Sequence, residues 1–110
     1  MNPGKLRHRI VIERKVGTTK DPDGIVKETW APFTSPWAAV IPLSGREKTY
    51  AAAISAEASI RIEIRYMQGI TADMRVNYGG RILELVAPPL DIEEKHIEIH
   101  LLCKEVGLNG

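Results

Sequence analysis

The chain has 110 residues, 44% of them hydrophobic and 26% charged, with a net charge of +1 and one cysteine. That is one domain's worth of an ordinary globular composition, so 1–110 is expected to fold as a single domain, which the strand pattern below makes a β-barrel. A transmembrane helix and an intrachain disulfide framework are excluded, the first apolar stretch is too short for a signal peptide, and the charge gives no global pull toward nucleic acid.

Taken in chain order, the residues alternate with a period of two, the mark of strands with one buried face. Near the start Leu6, Ile10 and Ile12 point inward, with Arg7, Arg9 and Glu13 outward. Asp21-Pro22-Asp23-Gly24 is a strong turn signal and predicts a hairpin to the weaker strand IVKETW. Trp30, Phe33 and Trp37 gather around Pro32 and Pro36, a hydrophobic corner expected to cover one end of a barrel.

Next comes WAAVIPLSGRE. Trp37 to Ile41 predicts a strand that Pro42 terminates, and Ser44 followed by Glu47 matches a capping box. The alanine-rich run that follows predicts a helix over about 44–58, with Tyr50, Ala51, Ile54 and Ala58 on its apolar stripe.

The alternation is cleanest in SIRIEIRYM, where Ile60, Ile62, Ile64 and Tyr66 face one way and Arg61, Glu63 and Arg65 the other. Gly79-Gly80 suits a tight hairpin between Val76 and Ile82, and Pro88-Pro89 stops the strand before it. HIEIHLLCK closes the series, with Ile97, Ile99, Leu101 and Cys103 inward. About six strands, joined by hairpins and interrupted by one helix, predict a mainly β fold: a small antiparallel β-barrel with one inserted α-helix.

The chain shows no nucleophile elbow, P-loop or dinucleotide fingerprint. Cys103 falls on an inward phase, where a free cysteine behaves as a small hydrophobe. His96, Glu98 and His100 alternate on one face of a strand, about 6.6 Å apart per step, a spacing two imidazoles can bridge through one zinc. The same phase is also where a solvated strand face carries its polar residues, and that reading outweighs the metal. No catalytic residue, metal or cofactor is therefore assigned. A barrel binding single-stranded nucleic acid is the alternative, but aromatics are only 5% of the chain and acids interleave with the arginines.

Charge is unevenly placed. Residues 1–20 carry six basic side chains against Glu13, and residues 84–105 carry six acids against Lys95 and Lys104. Either the two segments pair within one sheet, or identical copies meet head to tail.

The order of LRHRIVIERK, the DPDG turn, Trp30, WAAVIPLSGRE, IRIEIRYMQGITADMRVNYGGRILEL and a final strand ending LLCKE resembles the phage head–tail joining family. These small neck proteins are also described as head–tail adaptor, head-closure or stopper proteins. The resemblance implies a non-enzymatic virion protein of the neck, made in the host bacterial cytoplasm. It implies assembly as a ring under the portal and adaptor, closing the DNA-filled head and joining the tail. Partners implied are other copies of the chain, portal and adaptor proteins, tail proteins and packaged double-stranded DNA, with no membrane. Residues 42–59 are then the candidate channel-facing segment, with the DPDG hairpin as the other. Arg46, Glu47 and Lys48 are the candidate channel or partner contacts. Arg7, Arg9, Glu93, Glu94 and Glu98 are the inter-subunit charge candidates.

Overall fold

The computed structural model describes residues 3–108. A 3-10 turn at Pro3–Lys5 leads into β1 (His8–Arg9) and β2 (Val11–Lys20), followed by β3 (Val26–Thr34) and β4 (Trp37–Pro42). Helix α1 (Gly45–Ala52) separates these from β5 (Ile60–Arg65), β6 (Arg75–Tyr78) and β7 (Arg81–Leu85). Two-residue β8 (Leu90–Asp91), a 3-10 turn at Ile92–Glu94 and β9 (Glu98–Leu108) complete the chain.

Every pairing is antiparallel, in the order β1-β4-β5-β9-β7-β6-β2-β3, with β8 added on β9. The protein is thus mainly β with one helix, its sheet curled into a half-barrel. The two ends of the curl meet in one chain segment. His8 and Arg9 pair with β4, whereas Val11 to Glu13 pair with β6. Ile10 lies between them, its N–H donating to the Pro36 carbonyl at 3.2 Å and its own carbonyl accepting from Ser35 Oγ at 2.9 Å. The expected N-terminal strand is therefore one strand divided at Ile10, which is one reason the described residues hold nine strands rather than about six.

Inside the curl, Ile10, Ile12, Ile62, Ile64, Val76, Leu83, Leu101 and Cys103 are almost wholly buried. Each large aliphatic side chain there stabilises the fold by about 1.5–3 kcal/mol, and a one-residue slip of β5 or β9 would turn its share to water. Both predicted tight turns form. Gly79 and Gly80 adopt φ of 59° and 90° between β6 and β7, a conformation that L side chains resist. Asp21 Oδ1 accepts from the N–H groups of Asp23 and Ile25 and closes the turn between β2 and β3.

That hairpin outruns the shell. Beyond Glu13, β2 pairs only with β3, and its residues are exposed. At ~3.4 Å per residue the arm extends roughly 20–25 Å, in keeping with overall dimensions of 48 × 26 × 23 Å. Val16, Ile25 and Val26 lie exposed on it.

Several local expectations fail for identifiable reasons. α1 stops at Ala52, short of the expected 58, and turns carry the chain onward. Leu43 N–H donates to the Ser59 carbonyl and Ser59 N–H to the Cys103 carbonyl, both at 2.9 Å, so the excursion leaves and rejoins the sheet at one place. A fifteen-residue helix would advance about 22 Å and leave no chain for the return. The capping box does not form: Ser44 makes no side-chain cap bond, and Glu47, its expected partner, reaches Arg61 on β5 at 2.9 Å instead. Tyr50 and Ile54 are exposed, and the helix region docks through Ala51 and Ala58 onto Leu102. Ile97 is exposed as well, since β9 begins only at Glu98 and His96 turns the chain with φ of 55°. The aromatic corner does not form. Trp30 lies under Arg75 and Trp37 under Arg9, while Phe33 sits against Gly69.

Candidate functional site

Three surface regions carry the charged candidates. The first is the excursion between β4 and β5. Arg46 is exposed at the start of α1, Glu47 is tied to Arg61, and Lys48 Nζ donates to the Ala58 carbonyl. Two of the three side chains thus fasten the excursion to itself or to the sheet, which leaves Arg46 as the one presented outward. Beside it, Leu43, Tyr50, Ile54 and Leu90 line a groove of about 180 Å³ between α1 and the outer sheet face.

The second region is the basic N-terminal segment. Arg7 is exposed and donates to the Gly4 carbonyl at 2.8 Å. Arg9 donates to Ser35 Oγ at 3.2 Å and lies 5.2 Å over the exposed Trp37 ring. Both guanidiniums are held in place yet remain open to a partner's carboxylates.

The third is the acidic turn before β9. Glu93 and Glu94 are exposed, with φ of 56° and 55°, and Glu93 pairs with Lys95 at 2.7 Å. Non-glycine residues at positive φ store strain, so three of them within four positions (His96 included) mark a segment held by its surroundings. Asp91 supplies part of that hold, accepting from the His96 backbone N–H at 3.0 Å. Glu98 belongs elsewhere: its carboxylate accepts from Lys5 Nζ at 3.1 Å, so the basic and acidic ends also meet within one chain.

Lys5 leads to a polar cluster that alternation alone does not reveal. Glu63 was expected outward and solvated, but it is 4% exposed. Across the β5–β9 ladder it faces His100, with Ala39 on its other side. Lys5 Nζ approaches Glu63 Oε1 at 2.8 Å, and Arg61 Nε approaches Oε2 at 2.8 Å. Burial pushes the Glu63 carboxyl upward, but the Lys5 hydrogen bond, the neighbouring His100 and the Arg61 guanidinium together outweigh it and hold it below its usual value. The Lys5 ammonium is correspondingly raised, first by its hydrogen bond to Glu63. The HIEIH alternation breaks here: Glu98 and His100 stay on the cluster's face, while His96 turns away to Asp91 and the Tyr66 ring. The signal sequence reasoning lacked was long-range, since Lys5 lies 58 positions before Glu63.

Nucleophilic chemistry finds no footing at the cysteine. Cys103 is fully buried, and burial pushes its thiol to about 12, so no thiolate forms near neutrality. Among the described residues no helix is long and apolar enough to cross a membrane.

Comparison with known proteins gives the arrangement a context. The family model described as phage head completion protein matches residues 1–106. The head completion protein gp7 of Enterobacteria phage HK97 is 31% identical over 109 residues, covering 94% of this chain and 96% of that protein. The solution structure of protein SF1141 from Shigella flexneri 2a is similar with a TM-score of 0.72 and 34% identity, covering 96% of each chain.

Proposed function

The chain belongs to the phage head completion protein family, and from that premise we propose that it closes the DNA-filled head as a ring at the neck and presents a surface to the tail. A structural role at the head–tail region follows from the family. The ring, its place beneath portal and adaptor, and contact with packaged DNA make up the finer proposal. The observation that carries it is the extent of the match, 106 of 110 residues.

The shape supports the same reading. A curled sheet with two protrusions, the β2–β3 arm and the α1 excursion, can build a ring wall while sending one element inward and another sideways. The excursion is the channel-facing candidate, with Arg46 as its outward charge and Glu47 and Lys48 holding its form. The arm is the other candidate, and its exposed Val16, Ile25 and Val26 suit a neighbouring protein better than a DNA channel. Between subunits, Arg7 and Arg9 would meet Glu93 and Glu94 in a heterologous, ring-closing contact. Glu98 is committed to Lys5 and takes part only if that pair opens.

The test is electron microscopy of the purified protein mixed with portal–adaptor complexes from the same source. A new ring of density under the adaptor supports the assignment and shows which protrusion faces the channel. A connector unchanged at saturating protein removes the ring.

A further inference from the structure

The cluster around Glu63 holds more than an ion pair. Glu63, Glu98 and His100 each offer a ligand atom, and these atoms lie within 4.8 Å of one another. His100 Nε2 is 3.4 Å from Glu63 Oε2 and 3.6 Å from Glu98 Oε2. Donors about 2.0 Å from a tetrahedral zinc stand about 3.3 Å apart, so the two separations are close to those of a coordination set. They are also too long for good hydrogen bonds, and Nε2 is buried with no hydrogen-bond partner. A buried ring nitrogen aimed at two carboxylates and bonded to neither is poorly explained by the ion pairs alone.

The carboxylate side of this set is held by Lys5. Its ammonium touches Glu63 Oε1 and Glu98 Oε2 from the short Pro3–Lys5 turn, and its side chain is 35% exposed. Glu98 Oε2 cannot serve both cations, since an ammonium and a dication on one oxygen repel. With Lys5 gone, two carboxylates balance the dication; Arg61 still holds Glu63 Oε2 at 2.8 Å, so the oxygen Glu63 has free for the metal is Oε1, which Lys5 vacates, and Arg61 has Glu47 as its second counter-charge.

We propose that Glu63, Glu98 and His100 form a binding site for a zinc-type divalent cation, with Lys5 as its built-in competitor, so that metal binding releases the N-terminal turn. The site stands apart from the neck assignment and does not depend on it.

The experiment titrates metal-stripped full-length protein with Zn²⁺ by calorimetry at pH 7, and with Co²⁺ as a spectroscopic probe of coordination geometry. One metal per chain is expected, with the visible absorption of tetrahedral cobalt. His100→Gln and Glu98→Gln should each abolish binding while circular dichroism stays unchanged. Lys5→Met should tighten binding about tenfold or more, because it removes the competitor, whereas loss of a merely structural lysine would weaken it. His8→Ala and His96→Ala should leave affinity as it is. In the unsubstituted protein, zinc should speed tryptic cleavage after Lys5. The site is refuted by absence of binding at millimolar zinc, by binding that survives His100→Gln and Glu98→Gln, or by a Lys5→Met variant that binds no more tightly.

Discussion

Glu63 offers the sharpest test of how the outer face of the sheet is held together. Its carboxylate is nearly buried between Lys5, whose side chain is 35% exposed, and Arg61, which is 23% exposed. Removing one partner of a fully buried pair costs about 3–5 kcal/mol, whereas an exposed pair contributes about 0.2–1 kcal/mol. With one member buried and the other part-solvated, Glu63→Gln should cost about 1–2 kcal/mol, and its coupling to Lys5→Met in a double-mutant cycle should be about 1 kcal/mol. Urea unfolding with a chelator present resolves this, since m-values of about 1–3 kcal/mol/M convert such losses into midpoint shifts of roughly 0.5–1 M. The sign with pH follows from the lowered folded pKa. The contribution is fully present above the unfolded value of 4.5 and is lost as pH falls through the folded one. The variant should therefore converge with the parent protein as pH falls below 4.5 and through the lowered folded value. A coupling below about 0.3 kcal/mol at pH 7, or a difference that persists in acid, refutes the placement of Glu63 between its two cations.

His100 adds a second acid-sensitive limb at higher pH. Its folded pKa is depressed by burial, so stability should decline as pH falls from 6.5 toward that value, and His100→Gln should flatten this limb in a pH series of thermal melts. Leu102, 4% exposed beneath Ala51 and Ala58, anchors the excursion. Leu102→Ala should cost about 2–3 kcal/mol and raise amide exchange in α1 well above that in β5. Gly80→Val places a β-branched residue at φ of 90° and should cost about 1–2 kcal/mol, read as a lower melting temperature with an unchanged sheet signature by circular dichroism. Cys103 should resist thiol reagents in the native protein and react fully in denaturant, so its labelling rate reports opening of the core.

The inward alternation of β5 and β9 was readable in sequence because a strand buried on one face repeats every two residues and nothing local competes with that period. The turns at Asp21–Gly24 and Gly79–Gly80 were readable for a similar reason, since their backbone angles select the residues that occupy them. What was not readable depended on distant partners. Glu63 looks solvated until Lys5 folds over it. Glu47 looks like half of a capping box until Arg61 on β5 competes for it and wins. The length of α1 is set by the return of the chain to Ser59, a tertiary constraint that no helix propensity encodes. His96 and Ile97 obey the alternation in sequence and break it in space, because Asp91 and the positive-φ turn before β9 redirect the backbone. The polar cluster departs from the expected HIEIH face in the same way: Glu98 and His100 come from β9, Arg61 and Glu63 stand opposite on β5, and Lys5 reaches over from the N-terminal turn.

A role in completing the head is put to the test in a lysate of the parent phage lacking the gene. Filled heads there should fail to retain their DNA and to join tails, with nuclease-resistant DNA restored when the purified protein is added back. Intact, tailed and nuclease-resistant particles formed without the protein would contradict it.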